Sequence, residues 1–146
     1  MEQLTTYSVK SKINGYEWVF KYHLDGSFKS FEILTGGLTQ KQIDWLFDVV
    51  HFPYNEAGIK VWIHNLKANF EITKAAADIS FEAFWVKYDL KIKKEASQKA
   101  WDKLKEPDQI KCFKSLQNYN AFLQRTGQAK AHLVTWINQK RFNDEY

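Results

Sequence analysis

Apolar residues in this chain first follow a two-residue period and then a helical one. Tyr16 to Leu24 alternates cleanly, with Tyr16, Trp18, Phe20 and Tyr22 on one side and Glu17, Val19, Lys21 and His23 on the other. That is the pattern of a half-buried strand. Tyr7 to Ile13 alternates more loosely, and Ser27 to Leu34 resumes the alternation. Asn14-Gly15 and Asp25-Gly26 stand between these runs as hairpin signals, so the three strands form a meander that Gly36-Gly37 ends. Thr39 is a helix N-cap, and Ile43, Leu46, Phe47 and Val50 follow at i, i+3, i+4 and i+7, with Pro53 closing the helix. Asn55 caps a second helix through Ile59, Trp62, Ile63 and Leu66, which Gly58 weakens by about 1 kcal/mol. A strand over Ile59–His64 is the alternative to that helix, and the helix is preferred. Asn69 to Thr73 returns as a fourth strand.

Lys74-Ala75-Ala76-Ala77-Asp78 has neither proline nor glycine and reads as a packed or helical junction. Beyond it every signal is helical. Ser80 caps a helix with Phe81, Phe84, Trp85 and Tyr88 on one stripe. A basic turn from Lys91 to Lys94 leads into a helix carrying Ala96, Ala100, Trp101 and Leu104. Glu106-Pro107-Asp108 stops that helix and starts the next, with proline where a first turn tolerates it and acids where the helix dipole favours them. Cys112, Leu116, Tyr119 and Leu123 extend it. Thr126-Gly127-Gln128 breaks the chain before a last helix marked by Leu133, Trp136 and Ile137. The expected fold is therefore α+β: a small antiparallel sheet with helices over residues 1–74, followed by a helical bundle over residues 80–146.

A length of 146 residues suits one domain or two small units, and six tryptophans supply large side chains for the cores. No segment approaches the roughly 20 apolar residues of a membrane span, and Met1-Glu2-Gln3-Leu4 lacks the features of a secretory signal. The single cysteine, Cys112, cannot form an internal disulfide, which fits a reducing cytoplasm. Residues 1–74 balance eight lysines against eight acids, so the net charge of +4 falls in the second half. A mild basic bias of this kind is compatible with a nucleic-acid partner.

Catalytic signals are poor, and the chain is not expected to be an enzyme or to hold a cofactor. His23, His51, His64 and His132 lie far apart without metal-ligand spacing, and Gly36-Gly37 lacks the lysine of a phosphate loop. Lys91, Lys93 and Lys94 are more informative. Lysines at a helix start oppose the dipole, so contact with phosphate beside the helix N-terminus is a reasonable compensating role. A solvated basic turn is the bland alternative. Lys140 and Arg141 could join the same surface, although Arg141 could equally pair with Asp144 or Glu145. Glu95, Lys99 and Lys103 pair along their own helix face. The aromatic stripe of Tyr16, Trp18, Phe20 and Tyr22 could stack single-stranded bases, but a core role is favoured because its opposite face is charged.

Phe81, Phe84, Trp85, Tyr88, Lys91, Lys94, Ala100, Trp101 and Leu104, then Ile110 and Tyr119, then Trp136, Asn138, Arg141, Asp144 and Glu145, resemble the C-terminal helical domain of phage and prophage replication proteins of the replisome-organiser and helicase-loader-like kind. The resemblance covers residues 80–146. Asp89 stands where that pattern has proline and Phe142 where it has tryptophan. The resemblance implies a non-enzymatic accessory protein of a phage or mobile element that binds DNA, through Lys91, Lys93, Lys94, Lys140 and Arg141, or docks a replicative helicase. Binding to a replication origin is not implied, because the α+β first half differs from the winged-helix domain that often precedes this domain. The other expectation is a protein-interaction module, an inhibitor or assembly adapter, with no nucleic-acid role.

Overall fold

A computed structural model describes residues 2–146 and shows an α+β chain of two compact units, Glu2–Ala77 and Asp78–Tyr146. The first contains β1 (Leu4–Ser11), β2 (Glu17–His23), β3 (Phe28–Thr35), α1 (Gln40–Leu46), α2 (Glu56–Asn65) and β4 (Phe70–Ala75). The strands form one antiparallel sheet in the order β3-β2-β1-β4. Asp25-Gly26 makes the tight turn that the alternation requires. Gly26 adopts φ +86°, a conformation that glycine enters without steric cost, and the Asp25 carboxylate accepts hydrogen bonds from the Ser27 amide and hydroxyl.

The register explains why the aromatic stripe is a core. Tyr7 lies opposite Phe20 and Phe20 opposite Phe31, while Val9 lies opposite Trp18. Trp18, Phe20 and Tyr22 are buried together with Leu46, Phe52, Ile59, Trp62 and Phe70. Phe20 meets Trp62 edge-on with centroids 5.4 Å apart, and Trp62 stacks on Phe70 at 6.0 Å. Each such ring buries roughly 150–250 Å². These rings are occupied by one another, so the stripe is not a platform for bases.

The first helix of this unit departs from expectation. Thr39 makes a full capping box with Gln42, but α1 ends at Leu46 instead of continuing to Val50. Asp48 supplies the reason: its carboxylate accepts from the Val50 amide at 2.7 Å, and its carbonyl accepts from His51 and Phe52. Local bonding of this kind competes with the helical ladder. Val49 and Val50 consequently face solvent, each 84% exposed, and only Leu46 of the expected stripe is buried. α2 runs as a helix from its Asn55 cap, with Ile59 and Trp62 inward and the Trp62 Nε1 donating to the His51 carbonyl.

The second unit contains α3 (Phe81–Tyr88), α4 (Lys94–Asp102), α5 (Glu106–Thr126), α6 (Leu133–Asn138) and a 3-10 turn at Arg141–Asn143. Its core joins Phe81, Phe84, Trp85, Tyr88, Ala100, Trp101, Cys112, Leu116, Tyr119, Leu133, Trp136, Ile137 and Phe142. Phe84 is the hub, stacked on Trp101 at 5.0 Å and on Trp136 at 5.8 Å. No helix of the described residues is long and apolar enough to cross a membrane.

Candidate nucleic-acid interface

α3 begins at Ser80, whose hydroxyl accepts from the Ala83 amide, and stops at Asp89, which turns into the left-handed region. The chain then crosses Leu90–Lys93 and enters α4. Lys93 occupies the N-cap position with φ 56° and makes no side-chain cap, so the first amides of α4 have no acceptor among the described residues. Lys91 and Lys93 are exposed, and neither side chain has a hydrogen bond or ion pair among the described residues. Lys94 differs: its ammonium lies 3.3 Å from the Glu82 carboxylate. Farther along α4, Lys99 pairs with Glu95 at 3.5 Å. Both pairs are exposed, and contacts of this type contribute about 0–1 kcal/mol.

Lys140 and Arg141 lie after α6. Lys140 is exposed and again left-handed, with φ 51°, as the residue that opens the 3-10 turn. Arg141 donates from Nε to Gln139 Oε1 at 2.7 Å and forms no ion pair with Asp144 or Glu145. The last residues are held instead by Tyr146, which donates to the Arg141 carbonyl and packs on Tyr119 and Phe122. No hydrogen bond or ion pair links the Lys91–Lys94 group to Lys140 or Arg141 among the described residues. Non-glycine residues with left-handed backbone among the described residues are Asp89, Lys93 and Lys140. Two of these three strained positions are thus basic residues expected to contact phosphate. An L-residue pays a steric cost there, which glycine would avoid.

Charge is unevenly distributed within the second unit. Residues 75–108 carry seven Lys/Arg and seven Asp/Glu. Residues 109–143 carry Lys111, Lys114, Arg125, Lys130, Lys140 and Arg141 and no acid at all. Asp144 and Glu145 take back two charges, which leaves the net +4. The surplus therefore sits on α5, on the connection from α5 to α6 and just after α6, while the Lys91–Lys94 turn belongs to a balanced stretch. A count over halves of the chain hides this; a running count along the helices reveals it.

Lys130 is the most constrained of these cations. It is half-buried, donates to the Tyr88 carbonyl and to Asn120 Oδ1, and lies over the Tyr88 ring. Burial pulls its ammonium below the usual lysine range, and the Asp89 charge opposes that shift. Burial pushes the Cys112 thiol upward, so it is a protonated, unreactive side chain. Among the described residues no group of three or more His, Cys, Asp or Glu side chains is placed to hold a metal.

Fold and charge together define a two-unit α+β protein whose helical second unit carries the basic surface. A family model does match that unit: residues 76–140 are similar to the C-terminal domain of the Legionella vir region protein LvrA. This corrects the resemblance to the C-terminal domain of phage replication proteins. The physical reason lies in the residues that suggested it. Phe81, Phe84, Trp85, Tyr88, Ala100, Trp101 and Trp136 are all core residues. Their spacing reports how α3, α4 and α6 pack, which unrelated functions can share. No curated protein and no solved structure matches the chain.

Proposed function

We propose that the helical unit is a non-enzymatic DNA-binding module, held to the phosphate backbone by lysine and arginine. The observation that carries this reading is the acid-free run from residue 109 to residue 143 with its six basic residues. Attraction to phosphate depends on the local surplus of positive charge, which acids in the same stretch would cancel. Lys91 and Lys93, unpaired beside the open amides of α4, and Lys140 and Arg141 after α6 add further contacts. Lys94 contributes less, because Glu82 already neutralises it. The left-handed backbone at Lys93 and Lys140 supports the same reading, since strained positions tend to be retained for function. The lone Cys112 suits work in a reducing cytoplasm.

The test is fluorescence anisotropy of labelled duplex and single-stranded DNA from about 50 to 200 mM salt, where several phosphate contacts cost orders of magnitude in affinity. Saturable binding that weakens steeply is expected. Absence of binding at the lowest salt would end this reading. Replacing Lys91, Lys93 and Lys94 together by alanine should reduce the salt slope by about 1 for every lysine that contacts phosphate.

One observation favours a protein-interaction role for the first unit. Phe47, Val49, Val50 and Tyr54, which follow the early end of α1, are all at least half exposed. Clustered apolar exposure is a feature of protein-contact surfaces. A pull-down that loses its partner on Val49→Asp/Val50→Asp and is insensitive to salt would support this role.

A further inference from the structure

The solvent face of α5 has a composition that phosphate attraction alone does not require. Gln117, Ala121 and Gln124 recur at i, i+4 and i+7, with Asn120 beside them, and all four are exposed. At 100° per residue these side chains share one face of the helix. Gln117 and Gln124 make no side-chain hydrogen bond among the described residues, so their amides are free to pair with a partner. Gln128 and Lys130 close one side of an open groove of about 640 Å³ over this face. Lys114 and Arg125, both exposed, lie toward the other side. Between Gln109 and the end of α5 there is no carboxylate. The result is a strip of neutral amides around a small alanine, with Lys114 and Arg125 exposed on one border and Lys130 on the other held by Tyr88 and Asn120.

We infer that this face of α5 enters the major groove of duplex DNA and reads base edges through Gln117 and Gln124. The inference rests on the DNA-binding reading and deepens it. A glutamine amide can donate to and accept from adenine N6 and N7 together, and an alanine beside it allows close approach and meets a thymine methyl. The border of Lys114 and Arg125 suits the phosphates along one side of a groove about 12 Å wide. The span from Gln117 to Gln124 is about 10 Å of helix, enough for contacts to three or four base pairs. Single strands are disfavoured as the partner because Lys114, Gln117, Asn118, Asn120, Ala121, Gln124 and Arg125 offer no aromatic ring on which a base could stack. Duplex RNA is disfavoured because its major groove is too deep and narrow for side chains to read.

The experiment is selection of a randomised duplex library on the full chain, followed by affinities for the selected and a scrambled duplex. Enrichment of a short site containing adenine steps is expected, with at least about tenfold preference over the scrambled duplex. In Gln117→Ala/Gln124→Ala that preference should collapse while the salt slope stays unchanged. In Lys114→Ala/Arg125→Ala both duplexes should lose affinity alike and the slope should fall by about 2. These exposed substitutions leave the core intact, and matched circular dichroism spectra verify that. Binding without enrichment, an unchanged preference in the double glutamine variant, or tighter binding to single strands or RNA would each overturn the inference while leaving nucleic-acid binding in place. Failure to retain any nucleic acid at low salt would instead remove the underlying reading.

Discussion

Lys130 holds its ammonium 4.4 Å from the centroid of the Tyr88 ring and donates to the Tyr88 carbonyl at the end of α3. This places a cation where the helix dipole favours one, and the Lys130 contact with Asn120 ties the same group to α5. The neighbouring residue is clamped as well. The Tyr88 hydroxyl donates to the Ala131 carbonyl, and the Ala131 amide donates to the Tyr119 hydroxyl at 3.1 Å. Two buried tyrosines thereby satisfy both backbone groups of one residue in the connection from α5 to α6.

Tyr88→Phe and Tyr119→Phe should each lower the stability of the helical unit by about 1–2 kcal/mol, since each leaves a backbone group of Ala131 unpaired. Urea unfolding followed by tryptophan fluorescence measures this. Because the two hydroxyls grip the same residue, the double variant should deviate from additivity. Additive losses would show that the clamp does not act as a unit.

Gly58 gives a prediction opposite in sign to helix propensity. A Cβ there would lie 3.0 Å from the Pro53 Cα, and Pro53 is held in place because its carbonyl accepts from the buried Tyr22 hydroxyl. Gly58→Ala should therefore destabilise the first unit by about 1 kcal/mol, the cost of overpacking exceeding the gain in propensity. A rise in denaturation midpoint would show that Pro53 yields.

Lys93→Gly should stabilise the helical unit by up to about 1 kcal/mol, because glycine adopts the left-handed N-cap without a steric cost. The same variant should weaken DNA binding. The two effects of opposite sign separate a functional lysine from a structural one, and thermal melts paired with anisotropy read both.

Alkaline pH should destabilise the fold. Burial raises the phenols of Tyr7, Tyr22, Tyr88 and Tyr146 above the ordinary value of 10.0, and the Glu56 carboxylate, which accepts from the Tyr7 hydroxyl, adds to the shift at Tyr7. A phenol that is harder to ionise when folded favours the native state only while it is protonated. Stability from these groups is thus complete below pH 10 and declines as pH rises through the folded pKa values. Ultraviolet titration should show phenolate absorbance of the native chain lagging behind that of the chain in denaturant.

Much of the architecture can be read from residue order because it rests on local rules. Alternation in β2, the Asp25-Gly26 turn, the caps at Thr39, Asn55 and Ser80, and the proline in the first turn of α5 each act within a few residues. The early stop of α1 escaped that reading because Asp48 bonds to the backbone that follows it, which overrides an apolar spacing that continues to Val50. Gly58 likewise looked like a weakness of α2 until its neighbour Pro53 was in place. The charges were visible in the chain, but their meaning depended on partners. Lys94 and Lys91 look alike in sequence, yet only Lys94 is neutralised, by Glu82 one helix away. The amides of α5 acquire significance only when packing buries Cys112, Leu116 and Tyr119 and thereby turns Gln117, Ala121 and Gln124 outward. Period and capping are properties of neighbouring residues, whereas exposure and pairing depend on which distant segments meet.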